Sequence, residues 1–268
     1  MNFIKKFSWD KISSFVYPLA FGVIIFLLWE NEILHIIFNT DSFILPIPSK
    51  ILAIITANGE KMLTNAMATV KVAIPGLILG SILGYLVALV ATFFKTYGVG
   101  GLSVVSIFNA IPIVALAPAI ANWTTDVSSS AEVRSYVGKI LVVMLMCTAS
   151  MSVNAYRGLN ELKPFSEDLM KSYACNKMTV LLKLRFPNSI PYIFIALRVS
   201  VPISVISTLV SEYFAEYITG VGRQIRENIL IAQYASAWAY IAVACVIGVV
   251  MYGILMLVQG ICLKNRKN

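Results

Sequence analysis

The sequence predicts an all-α integral membrane protein with six transmembrane helices and both termini in the cytoplasm. Three observations carry this. Of 268 residues, 59% are hydrophobic and 13% charged, with mean hydropathy +0.82; a soluble domain averages roughly 45–50% apolar and about 25% charged. Six apolar runs approach or exceed the about 20 helical residues that cross a bilayer core of about 30 Å. The basic residues also collect in alternate loops. The same composition excludes a water-soluble globule and a disordered chain. The net charge of +8 lies between apolar stretches, which fits membrane topology rather than nucleic acid as a partner.

In chain order the runs are 16–38 (its apolar character fading at Trp29), 70–94, 99–123, 137–156, 190–211 and 237–263. The segment before the first run lacks the small-residue cleavage site of a signal peptide. Residues 1–15 read as a short cytoplasmic segment, and the whole of 1–268 as one transmembrane domain. Thirteen basic residues against four acids fall in the N-terminus, the second-to-third loop, the fourth-to-fifth loop and the C-terminal tail. The other three loops carry six basic residues and nine acids. The positive-inside rule then puts both termini in the cytoplasm, as an even number of spans requires.

The longest basic loop, 157–187, has no run that could span, yet it has helical periodicity. Phe165, Leu169, Met170 and Tyr173 share one face; Met178, Leu181, Leu182 and Leu184 to Phe186 form a second stripe. Pro164 suits a first helical turn and Pro187 ends the second stripe. Cys175-Asn176-Lys177 falls between them, with Asn176 suited to a left-handed turn. The residues alone leave two readings open: a partner-docking element, or an amphipathic segment on anionic lipid.

This loop resembles the EAA loop of binding-protein-dependent ABC importer permeases. The acid falls on Asp168, followed by Leu169-Met170 where the family has two alanines. The glycine position falls on Ala174 and the proline on Pro187. Ala174 adopts a positive φ only at a cost, which moves the expected turn to Asn176 or loosens docking. Other stretches resemble the nitrate/sulfonate/taurine branch, which also handles thiamine precursors and riboflavin. They are Leu45-Pro46-Ile47-Pro48-Ser49, the run from Ala110 to Pro118, Pro191-Tyr192 with Ala196-Leu197-Arg198-Val199, and Ser211-Glu212 with Gly220-Val221-Gly222. The likeness runs in order from about residue 25 to the end; only 124–135 departs, with polar residues where the family has a short Phe-Gly turn. The resemblance implies a type I importer permease in the inner membrane of a prokaryote. Two six-span subunits, identical or paralogous, would enclose a path. ABC ATPase subunits would dock on the loops through Asp168, Leu169, Met170, Tyr173, Ala174, Asn176 and Pro187. An external solute-binding protein would deliver the solute. ATP would be bound by the partner, so the chain needs no cofactor of its own.

Candidate path residues come from polar and helix-bending groups in the spans. Pro112 and Pro118 read as a path-shaping bend or a packing kink. Asn109 and Asn154 read as solute contacts or interhelical hydrogen bonds. Ser200, Ser204, Ser207 and Ser211 lie on one helical face, which reads first as close packing and second as a polar wall. Glu212, ending that stripe, is placed to gate, to pair with Arg223 or Arg226, or to meet solvent. Gly76, Gly80 and Gly84 form a small-residue contact face. Arg198 and Lys71 are placed to snorkel, and His35 reads as an interfacial polar residue. The spans show no basic ring that would argue for an anionic solute.

Catalysis has no evident seat. There is no phosphate-binding glycine loop, no nucleophile–base set around the single histidine, and no metal-ligand spacing among Cys147, Cys175, Cys245 and Cys262. The reading is a non-catalytic permease; its rival is a secondary transporter driven by an ion gradient. That rival calls for ionisable groups at mid-span or inverted repeats, and neither is evident.

Overall fold

In hydrocarbon a chain must satisfy its own backbone hydrogen bonds, so apolar runs of this length fold as helix. The computed structural model describes residues 9–107 and 110–264, with no strand among them. The helices are α1 (Trp9–Glu30), α2 (Ile33–Phe38), α3 (Pro48–Ala57), α4 (Gly59–Phe93), α5 (Lys95–Ile107), α6 (Ile113–Trp123), α7 (Ala131–Asn160), α8 (Ser166–Ser172), α9 (Lys177–Val180), α10 (Phe186–Phe214), α11 (Val221–Leu230) and α12 (Tyr234–Leu263).

Among the described residues, four helical stretches are long and apolar enough to cross a membrane: α4, α7, the continuous 177–214 stretch that contains α10, and α12. Two expected spans are interrupted. The first stops at Glu30, because Glu32 adopts a left-handed φ of 61° and α2 starts anew. The expected third span divides into α5 and α6. Pro112 therefore does not bend a helix. It stands as the extended residue that starts α6, where a missing amide N–H costs nothing. Pro118 lies inside α6, and Asn109 falls outside the described residues. A third correction concerns Pro187. The helix runs through it, because the five-residue π segment Leu181–Arg185 precedes it and Phe186 N–H reaches Leu181 O. A wider i→i+5 turn absorbs what a proline would otherwise break.

The core is three helices deep. α4 and α7 run parallel in close contact: side chains added at Gly76, Gly80 and Gly84 would meet Val143, Met144 O and Thr148 O in turn. α10 crosses antiparallel to both, burying Ala88, Met151, Ala155, Leu159 and Ala196 together. A second cluster joins α3, α4, α10, α11 and α12 through Ile51, Met62, Val205, Val221, Tyr240 and Ile247. This gives the bundle two distinct ends, one carrying α11 and one carrying α8. The outward faces of α4 and α12 expose Ile78, Ile82, Leu86, Val249, Leu257 and Ile261. Such a surface suits hydrocarbon, not water.

The Leu45-Pro46-Ile47-Pro48-Ser49 stretch works as a bracket. His35 bonds Leu45 O through Nε2, Trp238 Nε1 donates to Ile44 O at 3.0 Å, and Ser49 N–H donates to Glu30 Oε2 at 3.0 Å. Pro46 is fully buried beneath it. His35 is thus a buried clasp between α2 and the bracket rather than an interfacial residue.

Candidate functional site

At the α8 end the loop is braced, not loose. Arg185 is buried. It donates to Leu159 O (2.8 Å) and Asn160 Oδ1 (3.0 Å) at the end of α7, and pairs with Glu167 of α8 at 3.2 Å. A cation at a helix C-terminus meets unpaired carbonyls and the negative end of the dipole. Asn160 Nδ2 reaches Thr92 Oγ1 of α4 at 2.9 Å, and Asn188 Nδ2 donates to Gly158 O and Glu161 O. α4, α7, α8 and the start of α10 are therefore tied together at this end.

The turn between α8 and α9 corrects the sequence expectation. Ala174, not Asn176, takes the left-handed conformation, with φ 50°. Cys175 N–H bonds Met170 O and Ala174 N–H bonds Lys171 O, the paired bonds of a Schellman stop. Asn176 is extended and caps α9, its Oδ1 accepting from Thr179 N–H at 2.7 Å. Pro164 likewise precedes α8 rather than sitting in its first turn; Phe165 is left-handed at the N-cap. Apolar side chains then stand in solvent: Phe165 is 82% exposed, Tyr173 75% and Leu169 59%. Met178, Leu182 and Phe186 are exposed beside them, and Met170 is half-buried. Asp168 is exposed and pairs with Lys171 at 3.1 Å.

At the other end Glu212 is 1% exposed, and neither Arg223 nor Arg226 pairs with it. Arg223 pairs with Glu227 at 2.8 Å; Arg226 reaches Tyr213 O and stacks over that ring. Both are turned aside because the carboxylate is taken up by the start of α11. Gly222 N–H donates to Glu212 Oε2 at 2.8 Å, Val221 N–H to Thr69 Oγ1 at 2.9 Å, and Gly220 N–H to Asn65 Oδ1 at 3.1 Å. The Thr69 hydroxyl donates in turn to Glu212 Oε2 at 3.0 Å. A helix begins with amides that have no partner inside it, and a carboxylate is favoured there. The two glycines are required. Gly220 has φ +98°, and a side chain on it would strike the Glu212 carboxylate; one on Gly222 would strike Leu209 O.

The serine face is buried within the bundle. Ser200, Ser204 and Ser207 have no exposed surface, and Ser211 almost none. Ser204 donates to Val201 O and Ser211 to Thr208 O. Asn154 is half-buried and bonds Ser150 O on its own helix. Arg198 does not merely snorkel; its Nε donates to Gln259 of α12 at 2.9 Å.

The family profile described as "Binding-protein-dependent transport system inner membrane component" matches residues 76–263. The chain belongs to this family. The match runs from the Gly76 contact face to the end of α12, including the braced loop and the capped helix. Over 196 residues the permease is 25% identical to a "Probable ABC transporter permease protein" of Haemophilus influenzae, covering 73% of this chain and 76% of that one. Over 251 residues it is 24% identical to the "Formylaminopyrimidine transport permease protein ThiX" of Halalkalibacterium halodurans, covering 93% and 96%. It is therefore a multi-pass inner-membrane permease of an ABC import system, in which a solute-binding protein and an ATPase are the expected partners. Membership decides between this and the ion-gradient transporter.

Sequence reasoning missed Asn65, Thr69, Thr92, Asn160 and Arg185. The available signal was polar residues four apart, Asn65 and Thr69, on one face of an apolar helix. Two outcomes follow from the geometry. Ala174→Gly should stabilise the α8–α9 turn by about 1 kcal/mol and Ala174→Val should weaken it, read as slower and faster proteolytic nicking of the loop. Glu212→Ala strands the Gly222 amide and should cost about 3 kcal/mol. Glu212→Gln keeps an acceptor and should cost clearly less, both measured by thermal unfolding in nanodiscs.

Proposed function

We propose that this chain is a six-span subunit of a type I importer permease with both termini cytoplasmic, and that the α8–α9 loop is where an ATPase subunit docks. The observation that carries the reading is the exposed apolar face of Phe165, Leu169 and Tyr173 on a loop anchored by buried Arg185. An exposed apolar patch on a rigid support is costly in water and is the usual mark of a protein interface. A lipid-lying helix needs no such brace to the ends of α4 and α7. Docking there would transmit the ATPase's motion to α7 and α10 as a lever, biasing two packings of the bundle by differential binding. Asp168, Met170, Ala174, Asn176 and Pro187 shape the docking turn.

The path would lie between two such subunits, identical or paralogous, with Asn154, Pro112 and Asn109 as its candidate lining on this side; the Ser204–Ser211 face, buried inside this chain, serves helix packing instead. Glu212 would hold the outer closure through α11. For the solute we propose the small molecules of the nitrate, sulfonate, taurine and thiamine-precursor branch. The Leu45–Ser49 bracket and the likeness to a formylaminopyrimidine permease support this.

Leu169→Ser combined with Tyr173→Ser should lower recovery of the co-expressed ATPase with the permease by about 30-fold or more, as expected when interface anchors are truncated. Membrane insertion of the permease should be unchanged. Undiminished co-purification would move docking elsewhere or leave the loop on lipid.

A further inference from the structure

Where α6, α7 and α10 meet at the α11 end, packing leaves a cavity of about 40 Å³. Ala117, Ala121 and Val142 line it with apolar surface; Arg134, Ser135 and Lys139 supply donors. These donors are left unanswered. Lys139 is only 5% exposed, and its ammonium has no hydrogen bond and no ion pair within 4.0 Å among the described residues. The Ser135 hydroxyl and Arg134 Nε are buried without partners among the same residues.

The polar neighbours each have another partner. Glu216 pairs with the far side of the Arg134 guanidinium at 3.1 Å, and the Ser211 hydroxyl is committed to Thr208 O. The hydroxyls of Thr124 and Thr125 bond carbonyls of the preceding turn. Glu212 and Arg223 act on Lys139 only through their fields; Glu212 holds Thr69 and Gly222, and Arg223 holds Glu227. A buried donor left without an acceptor is destabilising, and more so when it carries charge. An unpaired ammonium on the cavity, with two buried and unpaired donors beside it, describes a pocket for an acceptor.

We propose that this cavity is a site for one compact anionic acceptor, held by Lys139 and Ser135 with Arg134 Nε beside them. The space bounds the ligand. One water needs about 10–15 Å³ measured this way, so the cavity fits a halide or a single carboxylate and no whole organic solute. The acceptor is either a free small anion or the acid group of a solute reaching in from the path. The second source rests on the path reading above; the first does not. The site adds what the sequence lacks: two cations on adjoining turns of one helix, Arg134 and Lys139, in place of a ring around the spans.

The test uses the assembled transporter in nanodiscs, reading the heat-induced loss of this chain from solution. Sodium chloride, bromide and acetate are each titrated against sodium isethionate at constant ionic strength. Chloride or bromide should raise the midpoint to a saturating limit if the ligand is a free anion. Acetate alone should raise it if the site reads a solute's acid group. Lys139→Gln should abolish whichever response occurs. Ser135→Ala, a milder change that spares folding, should raise the half-saturating concentration by about tenfold, the loss of one hydrogen bond to a charged group. Midpoints that are identical in all four salts would overturn the site. So would an undiminished response in Ser135→Ala.

Discussion

The structure depends on where the first amides of α11 find their acceptors. A helix start buried at the edge of a membrane bundle can turn neither to water nor to its own chain. Here each of three consecutive amides is answered by a different side chain: Asn65 and Thr69 from α4, Glu212 from α10. That arrangement fixes three helices against one another. It also explains how a carboxylate is tolerated at 1% exposure, since it meets two donors and the positive end of a helix dipole. Gly220 and Gly222 follow from the same constraint, because any side chain there would occupy the space of Glu212 or Leu209 O.

The opposite end solves a related problem with a cation. Arg185 joins the last carbonyls of α7 to Glu167 of α8, and Asn160 extends the link to Thr92 of α4. α10 runs between these two clusters, with Arg185 just before its start and Glu212 near its finish. A displacement of the proposed docking loop is then delivered to a helix whose far end holds α11. Buried polar clusters of this kind have discrete arrangements rather than graded ones, which is what alternation between two states of a path requires.

Much of this was legible in the sequence, and the failures have physical causes. Apolar run length placed the cores of α4, α7, α10 and α12, because the need to satisfy backbone in hydrocarbon overrides residue propensity. The Gly76, Gly80 and Gly84 spacing predicted a tight contact face, and the glycines lie against α7. Hydropathy faded at Trp29, yet the apolar residues of α2 carried the expected run across Glu30-Asn31-Glu32; the restart at Pro112 lies within apolar surroundings and leaves no such trace. Local propensity favours Asn176 for the turn, but the paired bonds that close α8 put the left-handed residue just after its C-cap, at Ala174. Glu212 was legible as a candidate but not its link to α4, because Thr69 is remote in sequence and becomes a neighbour only when α4 crosses α10.

The central claim is that side chains of α4 and α10 hold the amides that begin α11. Amide hydrogen exchange of the peptide spanning Gly220 to Gly222, measured in nanodiscs on the unaltered chain and on Thr69→Ala, tests it most directly. Strong protection is expected in the unaltered chain, with a loss of about tenfold or more at Val221 in the variant as the local opening free energy falls. Fast exchange of these amides in the unaltered chain, or protection indifferent to Thr69, would contradict it.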